Sequence, residues 1–178
     1  MKLQLFKNLT LIITLVFSLA VINPTAAQNE LSGVENTEQY STIDLIYMDK
    51  DLSVFTNLLA LSGLNVSLAF TDNDHTLFVP TNDAFADMTV EKFAELTNPN
   101  NRANLAKFVN RHFISQKVKS YELKDKDIVS LNDSEKLNIN EIGNTVSVGG
   151  ATVTNADIET ENGIIHIVDS ALKKEDLW

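Results

Sequence analysis

Apolar residues fall in two textures along the chain. Ile43, Ile46 and Tyr47 sit at i, i+3 and i+4, and Leu52, Phe55, Leu58 and Leu59 repeat that spacing. Each set forms one stripe on a helix. Ser53 is a candidate cap for the second helix and Gly63 its stop. A third short helix is expected over about 66–70, before the polar turn 71–74. Val90, Phe93, Ala94 and Leu96 predict another helix, and Leu105, Phe108, Val109 and Phe113 a further one, with Pro99 at the boundary. From Ile114 the texture changes to short strands, expected over 113–114, 121–123, 128–131, 136–140, 145–148, 152–154 and 164–168. Gly143-Asn144 and Gly149-Gly150 are turn signals between them. Helices first and strands later spell a single α+β module.

Two stretches are denser in signals than the rest. Thr76 to Met88 reads TLFVPTNDAFADM. It begins as a buried strand, which Pro80 ends because it has no N–H to donate. Thr81 then reads as a helix N-cap, with Asn82 and Asp83 in the first turn and Phe85 on the apolar side. Acting through the helix dipole, Asp83→Ala should cost about 0.3–1 kcal/mol. Asn162 to Leu172 reads NGIIHIVDSAL. Asn162-Gly163 is a hairpin signal, which predicts positive φ at Gly163 and damage from Gly163→Val. The run 164–168 is apolar on both faces, as a central strand would be. His166 lies inside it, and Asp169 follows at its exit.

Together these stretches resemble the two signature segments of the fasciclin domain. LAKFVNRHFI (Leu105 to Ile114) is similar to that family's third landmark, a helix running into a Tyr-His pair, with Arg111 in place of the Tyr and His112 kept. The resemblance covers roughly residues 40 to 172. It implies a compact antiparallel or mixed β core, a two-sheet wedge, under a layer of short helices mostly from the N-terminal half. It also implies a non-enzymatic adhesion module. Asp157-Ile158 matches the Asp-Ile step that animal matrix members of the family use in integrin-mediated adhesion, and the Tyr-His pair has a similar role there. These four residues, Asp157, Ile158, Arg111 and His112, are the candidate partner-binding set. The plainer alternative is that Ile158 is core and Asp157 holds a turn backbone.

Charge narrows the partners. The net charge of −10 becomes −12 once Lys2 and Lys7 leave with a leader. An acidic surface repels nucleic acid and anionic membranes. The partners this leaves are a cell-surface or matrix protein, a polysaccharide, or a second copy of the chain in a homodimer. Residues 1–27 read as a bacterial secretory signal peptide, with Lys2 and Lys7 before an apolar core and the cut after Ala27. That core is too short to span a bilayer comfortably. Residues 28–39 read as a flexible spacer, 40–173 as the domain and 174–178 as a tail whose Trp178 suits an interface. With no cysteine the domain must hold by packing alone.

Reactive chemistry finds little support. The three histidines, His75, His112 and His166, are far apart in sequence, unlike a zinc set. His166 reads as a satisfied core histidine. His166, Asp169 and Ser170 share one strand and its exit, where a triad cannot form. Asp72, Asp74, Asp125 and Asp127 sit on turns without the Gly and distal Glu of a built calcium loop. The expectation is therefore no catalytic residue, no metal and no cofactor. The rival is a periplasmic small-ligand-binding or envelope structural protein, which would need a pocket. An enzyme would need His112 and a carboxylate to converge in a cleft.

Overall fold

The computed structural model describes residues 30–64, 73–125, 128–130 and 136–173. The leader, the helix expected at 66–70, Asp72, Asp127 and the tail with Trp178 lie outside the described residues. Four α-helices are present among those described: α1 (Thr42–Met48), α2 (Ser53–Ser62), α3 (Val90–Leu96) and α4 (Arg102–Arg111). Pro99–Asn101 forms a 3₁₀ turn between α3 and α4. The described residues also form six strands, the first of them between α2 and α3: β1 (His75–Pro80), β2 (Phe113–Ile114), β3 (Ile139–Ile142), β4 (Thr145–Val148), β5 (Ala151–Glu159) and β6 (Gly163–Val168). They build one curled mixed sheet in the order β2-β1-β6-β5-β4-β3. The fold is α+β, as expected. The halves of the wedge are continuous through β5, which pairs with β4 at one end and β6 along the rest.

The two dense sequence stretches are neighbours. β1 and β6 pair in parallel, with Leu77 opposite Ile165 and Phe78 opposite His166. Every residue of both strands is buried. Because side chains alternate across a strand, each face feeds a different core. Leu77, Val79, Ile165 and Ile167 join the helices through Ile46, Phe55, Leu59 and Phe108. Phe78 and Val168 join Ile114, Val118, Leu123, Val148 and Leu172 on the other face. A strand buried on both sides needs a continuous apolar run, and that is what 76–79 and 164–168 supply.

Several local expectations are corrected. Residues 121–123 are no strand but part of a 3₁₀ turn, Ser120–Asp125. Leu123 there is buried while Tyr121 is 68% exposed, so the two do not follow strand alternation. Of 128–131, the described part makes only an isolated bridge, Val129 to Lys136. The strand expected at 152–154 runs on to Glu159, its alternation obscured by bulges between Val153 and Ile158. The spacer expected at 28–39 is folded from Glu30 onward. Two 3₁₀ turns, Glu30–Gly33 and Thr37–Gln39, bring Leu31 into the core, and Glu161 N–H donates to the Tyr40 carbonyl.

Ser53 does not cap α2; it is the first helical residue. The orphan N–H of Val54 instead donates to Asn82 Oδ1 at 2.8 Å, from 28 residues away. Asn82 Nδ2 donates to the Lys50 carbonyl at 2.9 Å. The helix expected after Thr81 is a three-residue 3₁₀ turn, Asp83–Phe85, and Thr81 Oγ1 accepts from Ala84 N–H at 3.3 Å. Phe85 is buried, and Asp83 points to solvent. Gly163 is not in the left-handed region. It is needed for close approach: a Cβ there would lie 2.7 Å from Thr42 Oγ1 and 2.8 Å from the His75 carbonyl oxygen. The adjoining Asn162 Oδ1 accepts from Thr42 N–H at 2.9 Å, tying this corner to the start of α1.

Candidate functional site

Asp157 is held at a bulge of β5. Its φ of +61° places a non-glycine residue in the left-handed region, where Asp and Asn are tolerated better than most. That geometry turns its carboxylate onto the segment before the 120–125 turn. Oδ1 accepts from Ser120 N–H at 2.7 Å and Oδ2 from Ser120 Oγ at 2.6 Å. Asp157 N–H donates to His166 Nδ1 at 3.1 Å. Since Nδ1 accepts, the imidazole proton sits on Nε2, which donates to the Val118 carbonyl at 2.9 Å. His166 is wholly buried and stacks on Phe78, 5.2 Å between ring centroids. Burial lowers its pKa, against the Val118 hydrogen bond and the Asp157 charge. It serves as a neutral strut.

The same segment is fastened at two more points. Thr76 Oγ1 donates to the Gln116 carbonyl at 2.7 Å and accepts from Val118 N–H at 2.9 Å. Lys119 pairs with Glu159. Residues 116–120 are thus pinned by β1, β5 and β6 before the chain enters the surface turn that carries Tyr121. The plainer sequence reading, Asp157 on a turn backbone and Ile158 in the core, matches this arrangement, but the sequence did not name Ser120, Val118 or His166 as the partners. The hydrogen bonds that fasten 116–120 span 37 to 48 residues, and no local pattern announces them; the Asp157–His166 bond inside the device spans nine. Ile158, the other half of the pair, is half-buried and packs on the helical core.

Arg111 and His112 end α4 and are buried. His112 Nδ1–H donates to the Phe108 carbonyl at 2.8 Å, and Nε2 accepts from Leu172 N–H at 3.1 Å. The rings of Phe55 and Phe108 flank it at 5.2 and 4.8 Å. Burial pushes its pKa down to about 4, with the Phe108 hydrogen bond opposing and the Arg111 charge assisting. With no exposed surface, His112 cannot touch a partner in this conformation, which corrects the expectation for it. Arg111 lines a groove of about 190 Å³ between α3 and α4, with Lys92, Leu96, Lys107 and Phe108.

The remaining candidates do not assemble chemistry. Asp169 Oδ1 accepts from Thr152 N–H at 2.7 Å, so Asp169 holds a strand and does not orient His166. His75 Nδ1–H donates to the Asn73 carbonyl, while its buried Nε2 has no hydrogen-bond partner among the described residues. Asp74 pairs with Lys117 at 3.1 Å. Among the described residues, no three His, Cys, Asp or Glu side chains gather as a metal set. None of the described helices is long and apolar enough to cross a membrane.

The profile of the fasciclin domain matches residues 50–174, which include the paired strands, the α4 corner and the β5 bulge. The chain belongs to the fasciclin domain family. The protein sll1483 of Synechocystis is 28% identical over 160 residues, covering 84% of this chain and 87% of that protein. Human periostin is 35% identical over 133 residues, 72% of this chain but only 15% of periostin. A Plasmodium falciparum protein named heme ligase is 24% identical over 157 residues, covering 73% of this chain and 74% of its own length. In structure, the chain is similar to a FAS1 domain pair from the insect cell adhesion molecule fasciclin I, with a TM-score of 0.60 and 20% identity. That likeness covers 79% of this chain and 53% of the pair. Fasciclin domains are generally non-enzymatic modules, which suits a site made of struts.

Proposed function

We propose that this fasciclin domain is a secreted, non-enzymatic binding module that attaches its bearer to a cell-surface or matrix component, protein or polysaccharide. The observation that carries the reading is the pinned 116–120 segment. Asp157 and His166 spend their polar groups on holding a surface turn, which is what a preorganised recognition surface requires. The periostin relative and the likeness to a cell adhesion molecule support it. Asp157-Ile158 acts in this reading by positioning, and Arg111-His112 by closing the core. The leader read at 1–27 supplies the route outward.

The name of the heme ligase relative favours a second reading, small-ligand binding. Beads coated with the protein test the choice, applied to cells of the producing organism and to isolated surface polysaccharide. Saturable adhesion by wild type, lost in folded Asp157→Ala, is the expected result. Adhesion kept in that variant moves the site away from β5. No adhesion to any surface overturns the reading in favour of the small-ligand one.

A further inference from the structure

The turn that Asp157 holds ends in a shallow concavity. It has a volume of about 230 Å³ and is lined by Tyr121, Lys124, Ile139, Glu141, Asn144 and Val146. Ile139 and Val146 in its lining are half-buried and pack against the second core. Its walls are polar and of mixed sign: Lys124 Nζ lies 3.6 Å from Glu141 Oε2, and Asn144 stands at the β3–β4 turn. Tyr121 is 68% exposed, yet its backbone follows directly on the residue fastened by two short hydrogen bonds to Asp157. An exposed aromatic on a fixed turn is costly to leave in water and cheap to order on binding. The left-handed φ at Asp157 adds local strain to the device that fixes it.

From this geometry we infer that the concavity is a subsite for one pyranose unit of a neutral polysaccharide. A sugar ring offers an apolar face of C–H bonds and a rim of hydroxyls that both donate and accept. Tyr121 supplies a flat surface for the first. The Asn144 amide, Glu141 carboxylate and Lys124 ammonium supply acceptors and donors for the second. The balanced Lys124–Glu141 pair offers no net attraction to an anionic chain, and the protein's charge of −10 opposes one. The concavity is the size of a single ring, so affinity for a polymer arises from repeated engagement along it. Asp157 is then a positioning residue for the sugar site. This inference rests on the adhesion reading for its biological setting, but its chemistry is tested separately.

Native electrophoresis through gels containing galactomannan, xyloglucan or dextran, with alginate as the anionic control, reads binding as retardation of the purified protein. Wild type should be retarded by at least one neutral polymer and not by alginate. Tyr121→Ala should weaken that binding about tenfold or more, because it removes the aromatic anchor. Tyr121→Phe should stay within about threefold, since the ring face remains. Asp157→Ala should weaken binding, and Asp157→Asn should restore part of it, as Oδ1 can still accept from Ser120. No retardation in any neutral gel overturns the inference, as does retardation of Tyr121→Ala equal to wild type. Bead adhesion that survives either negative result leaves the adhesion reading standing. Tyr121-dependent retardation without bead adhesion supports the sugar site and removes that reading.

Discussion

The Arg111-His112 and Asp157-Ile158 corners differ in what surrounds them. His112 ends α4 between two phenylalanine rings, with both ring nitrogens occupied and no surface left. Asp157 sits half-buried on a strand bulge, and both its carboxylate oxygens reach outward to Ser120. Within the first corner, His112 can influence binding only by keeping the domain folded, while Arg111 also lines the groove between α3 and α4. The second can do so by setting the position of a surface turn. A residue's importance for adhesion thus need not mean contact with the partner.

The largest expected effect tests the sealed corner. His112→Ala removes a packed ring and leaves Leu172 N–H without its acceptor, which should cost about 3–5 kcal/mol. Chemical denaturation measures it. Binding by the fraction that remains folded should be unchanged, and a binding defect without a stability defect would break the comparison.

Acid probes the same corner. The folded His112 has a pKa of about 4 against 6.5 for the free ring. Below pH 6.5 the unfolded chain takes up a proton that the folded one refuses, so stability falls as pH drops from about 6.5 to 4. The loss reaches about 3 kcal/mol from this group. Burial lowers His75 and His166 in the same direction. Urea midpoints at pH 7 and 5 read the slope, and NMR titration of the His112 ring assigns it. A ring midpoint near 6.5 would mean that the corner opens.

At the surface corner, Asp157→Ala should cost about 1–3 kcal/mol through two lost charge-assisted hydrogen bonds and a less tolerant left-handed residue. Its adhesion should fall further than that loss explains. Asp157→Asn, which keeps one acceptor and suits the φ, should cost less. Equal losses in stability and adhesion across the two variants would reduce Asp157 to a stability residue like His112.

The smallest effects separate neighbours. Asn82→Ala should cost about 1–2 kcal/mol, because Val54 and Lys50 lose their cap. Asp83→Ala should cost under about 0.5 kcal/mol, since it lies exposed on a three-residue turn. Paired thermal melts decide the order.

Much of the fold is legible because it is local. The apolar runs at 76–79 and 164–168 have to be buried on both faces, and the 3.6-residue stripes of α2 and α4 have to face a core, whereas α3 buries only Leu96 of its stripe and leaves Val90 81% exposed. Gly63, Gly143, Gly149 and Gly150 all take the positive φ of their stops and turns. The misreadings share one cause. Tyr121 and Leu123 resemble a strand until Glu122 is seen accepting from Lys119 N–H and closing the turn. Ser53 looks like a cap until Asn82 arrives from another part of the chain. Gly163 does open the second strand of the β5–β6 hairpin, but what requires glycine there is the crowding of its α-carbon by Thr42 and His75, not a positive φ.

Composition and periodicity are thus enough to specify an α+β domain, its two central strands, the four helices and the Gly63 stop of α2, since these follow from the preferences of neighbouring residues. Which polar group meets which across 28 to 48 residues follows from the parallel pairing of β1 with β6 and the bulge in β5. That pairing converts Asp157 from a motif residue into the fastening of a surface turn. It likewise converts His112 from a candidate contact into a closed strut. Hydrogen bonds of this kind depend on where the backbone brings their partners, and that position comes from the packed core as a whole.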